Sequence, residues 1–453
     1  MKEIKQGRVT DMTKGNPLKL LLRFAMPLFF GNLLQQFYNL ADTSLAGHIL
    51  GDAALAQIGA TAALYSLIMN FAFGMNNGLA LTVSRNFGAG DMKKLRQAVC
   101  WMVTLAAGSA LVLTVSFLGL RGPLLRALQV PENVMAGALG YLTVILAGIP
   151  LTMAYNLEAS LLQAVGNSVT PLLLLLFSSV LNIILDILFM GTFSWGVQGA
   201  AAATVLAQGV SAVLGGIYLA TNYAWLRFGK ADWHVSPRFV LRMFGGGLSM
   251  ALMSAIYNIG SVILQSSINA LGEIYIAAQV GARRLAEFFY TPGVALGTSM
   301  ATYASQNLGA KKPERIGKGI MTAIGLYGVW WIIALILTFT AGPAAVRLIT
   351  GSENKEVVSG AVLYLTISIP MIPPMAVIVV LRNTLQGMGH LFMPLFCSSL
   401  ELIGKIIFAV SIVPVYGYPA VCICEPTTWV ICMVFIVIGT MMDRKEFRRV
   451  EER

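Results

Sequence analysis

Two aspartates, an asparagine and a threonine stand in stretches otherwise dominated by Leu, Ile, Val, Phe, Ala and Met: Asp42, Asn182, Asp186 and Thr204. Gln35 and Tyr141 lie in similar surroundings. Asn182 and Asp186 are spaced i, i+4, so a helix presents both on one face. Gln35 is about two turns from Asp42 and near the same face. Carboxylates in apolar surroundings are not left bare: they bind a cation, take up or share a proton, or face water. Two of them close together titrate as a coupled pair. Reversible binding of H⁺ or Na⁺ is the chemistry this set suits. The plainer reading is two separately hydrogen-bonded acids that pin helices together.

A second polar group lies further along the chain: Arg283, Arg284 and Glu287, then Glu401 and Lys405. Arg283 with Glu287, and Glu401 with Lys405, are i, i+4 pairs and read as self-neutralised. The sharper alternative is that Arg284, Glu287, Glu401 and Lys405 line a substrate path. Glu425, beside Pro426, has no evident partner. Pro27 interrupts the backbone hydrogen-bond ladder below Asp42, which predicts a local kink. A stronger expectation is that this kink changes with the charge state of Asp42.

The elements that must position these residues are membrane spans. Hydrophobic residues make up 57% of the 453-residue chain and charged residues 11%, against about 25% charged in soluble domains. Apolar stretches fall near 18–49, 53–82, 97–120, 134–160, 169–190, 197–222, 240–267, 275–300, 319–340, 357–381, 391–413 and 418–442. Each exceeds the roughly 20 residues needed to cross the hydrocarbon. Twelve transmembrane helices are expected. Lys and Arg concentrate in alternate loops (Arg85, Lys93, Lys94, Arg96; Arg227, Lys230, Arg238, Arg242; Lys311, Lys312, Arg315, Lys318) and in both tails. The positive-inside rule then places both termini in the cytoplasm.

Depth follows from that orientation. Asp42 lies seven residues before the outer end of the first span, and Asn182 and Asp186 eight and four before the end of the fifth. Tyr141 and Thr204 each lie seven residues from the outer starts of the fourth and sixth. Most of these groups therefore sit roughly 10 Å below the external surface.

The pattern is stated twice. Tyr38-Asn39, Gln57-Ile58-Gly59-Ala60, Asn86-Phe87-Gly88-Ala89, Leu162-Gln163 and Pro171 recur as Tyr257-Asn258, Gln279-Val280-Gly281-Ala282, Asn307-Leu308-Gly309-Ala310, Leu385-Gln386 and Pro394. At these offsets Asp42 faces Ser261 and Asp186 faces Ala409. Six spans per copy make the repeats parallel, with a cleft expected between them. The expected organisation is a cytoplasmic tail 1–17, an N-lobe 18–222, a connector 223–239, a C-lobe 240–442 and a cytoplasmic tail 443–453.

Other classes fit poorly. The net charge of +11 is topology rather than a nucleic-acid footprint. The first hydrophobic run begins after Pro17 and lacks a small-residue cleavage site, so no signal peptide is expected. The five cysteines lie in or beside spans and read as apolar packing, and three histidines argue against a metal centre. Neither a phosphate-binding loop nor a nucleophile elbow is visible, and no soluble catalytic domain has room, so the chain does not read as an enzyme.

FAMPLFFGNLLQQFYNLADTSLAGHILGDAALAQIGA, LLQAVGNSVTP, LQGMGHLFMP and SQNLGAKKPERIGKG resemble the multidrug and toxic compound extrusion (MATE) transporters over about 18–440. The resemblance implies an all-α integral membrane fold of the MOP superfamily, with twelve transmembrane helices in two parallel six-helix repeats. It implies export of lipophilic, often cationic small molecules across the cell membrane, driven by inward H⁺ or Na⁺ flow. It implies no cofactor besides that ion, and a functional monomer in the lipid bilayer. Carried over residue by residue, the family's cation site falls on Asp42, Asn182, Asp186 and Thr204, with Tyr141 and Gln35 nearby. One branch uses an acid in the seventh span where this chain has Tyr257, a departure that brings it nearer the DinF-like branch. The rival on the same scaffold is a flippase or exporter for a lipid-linked or narrow-specificity substrate.

Overall fold

A computed structural model describes residues 9–451, with side chains to Met441. Among these residues there is no strand, and twelve helical segments follow one another in the order of the twelve expected spans. They are α1 (Pro17–Leu50), α2 (Asp52–Ala89), α3 (Met92–Ala127), α4 (Glu132–Ala147 and Ile149–Ala164), α5 (Val169–Thr192) and α6 (Val197–Asn222). Then come α7 (Pro237–Asn269), α8 (Glu273–Gly309), α9 (Pro313–Thr350), α10 (Lys355–Ser368 and Ile372–Met388), α11 (Phe392–Tyr416) and α12 (Tyr418–Glu451). Short 3₁₀ turns, Ala224–Leu226 and Lys230–Trp233, lie between α6 and α7.

Two spans expected to be continuous are broken. The halves of α4 meet at 47° and those of α10 at 57°. In both, the second half restarts with Ile-Pro, at Ile149-Pro150 and Ile372-Pro373. Proline is tolerated in a first turn, where its missing N–H leaves no bond unmade, whereas within a helix it removes a backbone hydrogen bond and crowds the preceding turn. Hydrophobicity runs unbroken across both sites, which is why a hydropathy reading passes over them.

Nine of the helices are long and apolar enough to cross a membrane, and the two bent pairs bring the number to 11. The remaining segment, α8, is too polar for that test although it has 37 residues. Twenty of those residues are buried, and it packs against α9 and both halves of α10. A helix wrapped by its own neighbours needs little lipid-facing surface, so it can carry charge. In the first repeat α2 occupies the matching place, against α3 and both halves of α4.

The turns repeat more faithfully than the sequence does. Each of the five turns inside a repeat holds a residue with positive φ at matching positions: Gly51 and Gly272, Gly90 and Lys311, Gln129 and Gly351, Gly166 and Gly389, Gly196 and Gly417. At three of the five pairs both residues are glycine, the residue that adopts this conformation without a Cβ clash. Matching φ values (60° and 64° at Gly196 and Gly417) fix the register of α6 against α12.

The described residues form two compact units, one of 26–251 with the segment up to Lys14, the other from Leu252 onward with Gly15–Ala25. In the first, Ala72, Met75, Leu79, Leu95, Met102, Leu142 and Met153 centre the core. There α2 and the start of α7 approach closely: a Cβ on Gly74 would lie 2.6 Å from the Met250 carbonyl oxygen, and one on Gly78 would collide with that of Gly246. Small residues at such crossings let membrane helices pack backbone to backbone. In the second unit α11 packs on α12, and Cys397 and Cys432 meet there as free, buried thiols.

Candidate functional site

The first unit gathers Asp42, Asn182, Asp186 and Thr204 from three helices. Asp186 closes the regular part of α5, and a π-helical turn, Ile187–Thr192, follows at once. Such turns are uncommon and concentrate at functional sites. Asp186, Asn182 and Thr204 are buried at 0%, 1% and 8% exposure. With its Nδ2 toward Asp186 Oδ2 (2.9 Å), the Asn182 amide also accepts from the Thr204 N–H (3.0 Å) and Oγ1 (3.3 Å). The Asp42 and Asp186 carboxyls lie within electrostatic reach of each other. Thr204 Oγ1 also donates to the Ala200 carbonyl at 3.2 Å and stands 3.4 Å from the Tyr38 hydroxyl.

Of the two supporting residues expected here, Tyr141 is present, buried and within electrostatic reach of both acids. Gln35 donates to Asn39 Oδ1 at 3.2 Å. Tyr38 and Tyr65, which sequence reasoning left out, join the group. Tyr38 belongs to a repeated motif, and that recurrence was its available signal. Pro27 lies inside the single helix α1. One turn beyond the acids, Ala46, Tyr141, Met190, Val197, Ala200 and Ala201 pack into an apolar layer. Excluding water in this way strengthens every interaction an ion makes beneath it.

Oδ1 of Asp42 and Oδ1 of Asp186 are both buried without a hydrogen-bond partner. Leaving such acceptors unmatched is costly unless a proton or a cation completes them. The two carboxylates offer hard oxygen, held in place by the Asn182 amide, which fits H⁺ or Na⁺. No group of three or more His, Cys, Asp or Glu that could hold a transition metal occurs among the described residues.

The second unit holds a polar centre of another kind. Glu425, for which the sequence suggested no partner, accepts from the Tyr364 hydroxyl at 2.8 Å and from Arg283 Nη1 at 3.2 Å, and lies 3.7 Å from Lys405 Nζ. Lys405 Nζ is 3.2 Å from Glu401 Oε1 and 4.4 Å above the Tyr257 ring. Arg382 Nη1 is 4.0 Å from Glu401 Oε2. The Glu401–Lys405 pair therefore forms as expected. Arg283 makes its expected pair with Glu287 at 3.9 Å and a shorter contact, 3.2 Å, with Glu425. Arg284 and Glu287 are exposed at the edge of this centre, whereas Glu401 and Lys405 lie within it. Glu158 has its Oε2 buried without a hydrogen-bond partner in the first unit.

A family model described as MatE matches residues 27–188 and 249–411. The chain is similar to the probable multidrug resistance protein YpnP of Bacillus subtilis, at 30% identity over 68% of each chain. It is similar to an FAD transporter of Shewanella oneidensis, at 24% identity over 82% of each. A solved structure described as the outward-facing conformation of a multidrug resistance MATE family transporter of the MOP superfamily has the same fold. It superposes with a TM-score of 0.87 at 22% identity, covering 97% of this chain and 98% of the other.

Proposed function

The chain belongs to the MatE family of multi-pass membrane transporters, and we propose that it is a secondary antiporter. It exports lipophilic, cationic small molecules in exchange for H⁺ or Na⁺ by alternating access, acting as a monomer in the cell membrane with both termini in the cytoplasm. In this reading the transport lobes are 18–222 and 240–442. The observation that carries the reading is the pair of buried, unpartnered Oδ1 atoms on Asp42 and Asp186. Ion binding there supplies the missing partner, and exchange requires that ion and substrate bind in opposition. Names borne by relatives, a multidrug resistance protein among them, support the substrate class. Asn182 and Thr204 orient the pair, and Tyr38 and Tyr141 enclose it. Pro27 softens α1 so that its outer half can respond to the charge on Asp42.

A narrow-specificity exporter is the second reading, favoured by the relative named as an FAD transporter. Reconstitution separates the two. Uptake of a fluorescent lipophilic cation into proteoliposomes is measured under an imposed proton or sodium gradient, for wild type and Asp42→Asn. Accumulation driven by one gradient and lost in the variant is the expected result. Absence of gradient-driven movement of any such dye, with folded protein, overturns the antiporter reading in favour of the second.

A further inference from the structure

The repeat register pairs the two polar centres residue by residue. Lys405 follows Pro394 by the same 11 positions that separate Asn182 from Pro171. Glu425 follows the positive-φ Gly417 by the same eight that separate Thr204 from Gly196. Tyr364 precedes Ile372-Pro373 as Tyr141 precedes Ile149-Pro150, and Tyr257 matches Tyr38. The pairing holds in space within each unit. Asn182 contacts Thr204, and Lys405 lies 3.7 Å from Glu425. Tyr38 reaches Thr204, and the Tyr257 ring lies under the Lys405 ammonium. A π-helical turn follows both sites, at Ile187–Thr192 and Phe408–Ile412.

We propose that the C-lobe centre is a second monovalent-cation site kept permanently filled by the Lys405 ammonium, so that only the N-lobe exchanges ions. The ammonium lies between Glu401, Glu425 and the face of Tyr257, with its side chain only 1% exposed. Two carboxylates and a π face are the surroundings a free cation would need. Charge supports the same conclusion. Arg283, Arg382 and Lys405 face Glu287, Glu401 and Glu425 in one linked group of three cations and three anions. Removing the ammonium leaves that group one negative charge in excess, which one H⁺ or Na⁺ cancels. Asn182 has no charge, so its site must recruit the ion from outside.

This inference rests on the N-lobe being an ion site, and the test lets each fail separately. Bound ²²Na⁺ at pH 8.5, and proton uptake by difference titration, are counted per chain in detergent. The proteins are wild type, Asp42→Asn/Asp186→Asn, and that double variant carrying Lys405→Asn. The double variant is expected to bind no ion, and adding Lys405→Asn is expected to restore one Na⁺ or one H⁺. Residual binding in the double variant, or no gain with Lys405→Asn, overturns the proposal. If neither wild type nor the double variant binds an ion, the N-lobe reading fails, while the gain from Lys405→Asn still decides the C-lobe. Should Lys405→Asn unfold without Na⁺, refolding on adding Na⁺ or lowering pH is the same result read as stability. Failure to recover under either condition overturns it.

Discussion

The N-lobe and C-lobe centres are built on one backbone and have been filled with opposite chemistry. Around Asp42 and Asp186 the neighbours are neutral, namely Asn182, Thr204, Tyr38 and Tyr141, and two acid oxygens remain unmatched. Around Glu425 two cationic side chains and a tyrosine hydroxyl meet one carboxylate. Lys405 Nζ too is buried without a hydrogen-bond partner, but it stands between two carboxylates whose charge compensates it, whereas the unmatched oxygens of Asp42 and Asp186 face no cation among the described residues. Equivalent positions in the two repeats thus carry a different balance of charge. Substitutions at equivalent residues should therefore break different things, transport in one lobe and the fold in the other.

The largest effect is expected from Glu425→Gln. Truncating the charge leaves Arg283 and the buried Lys405 short of an anion, and breaking a buried pair costs about 3–5 kcal/mol. The midpoint of thermal unfolding in detergent should fall sharply. An unchanged midpoint would mean that the C-lobe network is not structural. Asp42→Asn should behave in the opposite way, keeping the midpoint while gradient-driven accumulation falls about 100-fold, the upper range of coupling between two ligands. Asn182→Lys sharpens the contrast. It installs in the N-lobe the ammonium that the C-lobe already carries, and transport should fall to the Asp42→Asn level without loss of fold. Transport that survives Asn182→Lys would break the equivalence of the two centres.

Much of this comparison was legible in the sequence, and the part that was not has physical causes. Asp42, Asn182, Asp186 and Thr204 could be brought to one level because helix rise and span orientation convert residue number into depth. Glu425 could not be partnered, because Arg283 and Lys405 come to it from other helices and i, i+4 spacing sees only one helix at a time. The i, i+4 pair of Arg283 with Glu287 forms at 3.9 Å, while the shorter 3.2 Å contact of Arg283 reaches Glu425 on another helix. The bends in α4 and α10 escaped because apolar character persists through them; the repeated Ile-Pro was the signal. Register between α6 and α12 became readable only from the matching positive φ of Gly196 and Gly417.

A moderate effect is expected at Thr204, the N-lobe counterpart of Glu425. Thr204→Ala removes a hydroxyl that stands 3.3 Å from the Asn182 amide and 3.4 Å from the Tyr38 hydroxyl. A net hydrogen bond is worth about 1 kcal/mol, so the half-saturating ion concentration should rise roughly fivefold while the unfolding midpoint barely moves. A large drop in the midpoint would place Thr204 with the structural class and erase the distinction between the centres.

The smallest effect, and the one that delimits the C-lobe network, is expected at Glu287. Its side chain is 53% exposed and its carboxylate lies 3.9 Å from Arg283 Nε, at the edge of the ion-pair range. An exposed pair with that geometry contributes between nothing and about 0.5 kcal/mol, because solvent screens it and the long side chains lose freedom in forming it. Glu287→Gln should then leave the unfolding midpoint unchanged within error. Arg283 keeps its 3.2 Å contact with Glu425, so no buried charge is orphaned. The transport assay gives the measurement a second edge. If Glu287→Gln changes accumulation of a cationic dye but not that of a neutral one, Glu287 lies on the substrate path and its charge selects the cargo. If both are unchanged, Glu287 serves this network only as the third anion that balances Arg283, Arg382 and Lys405.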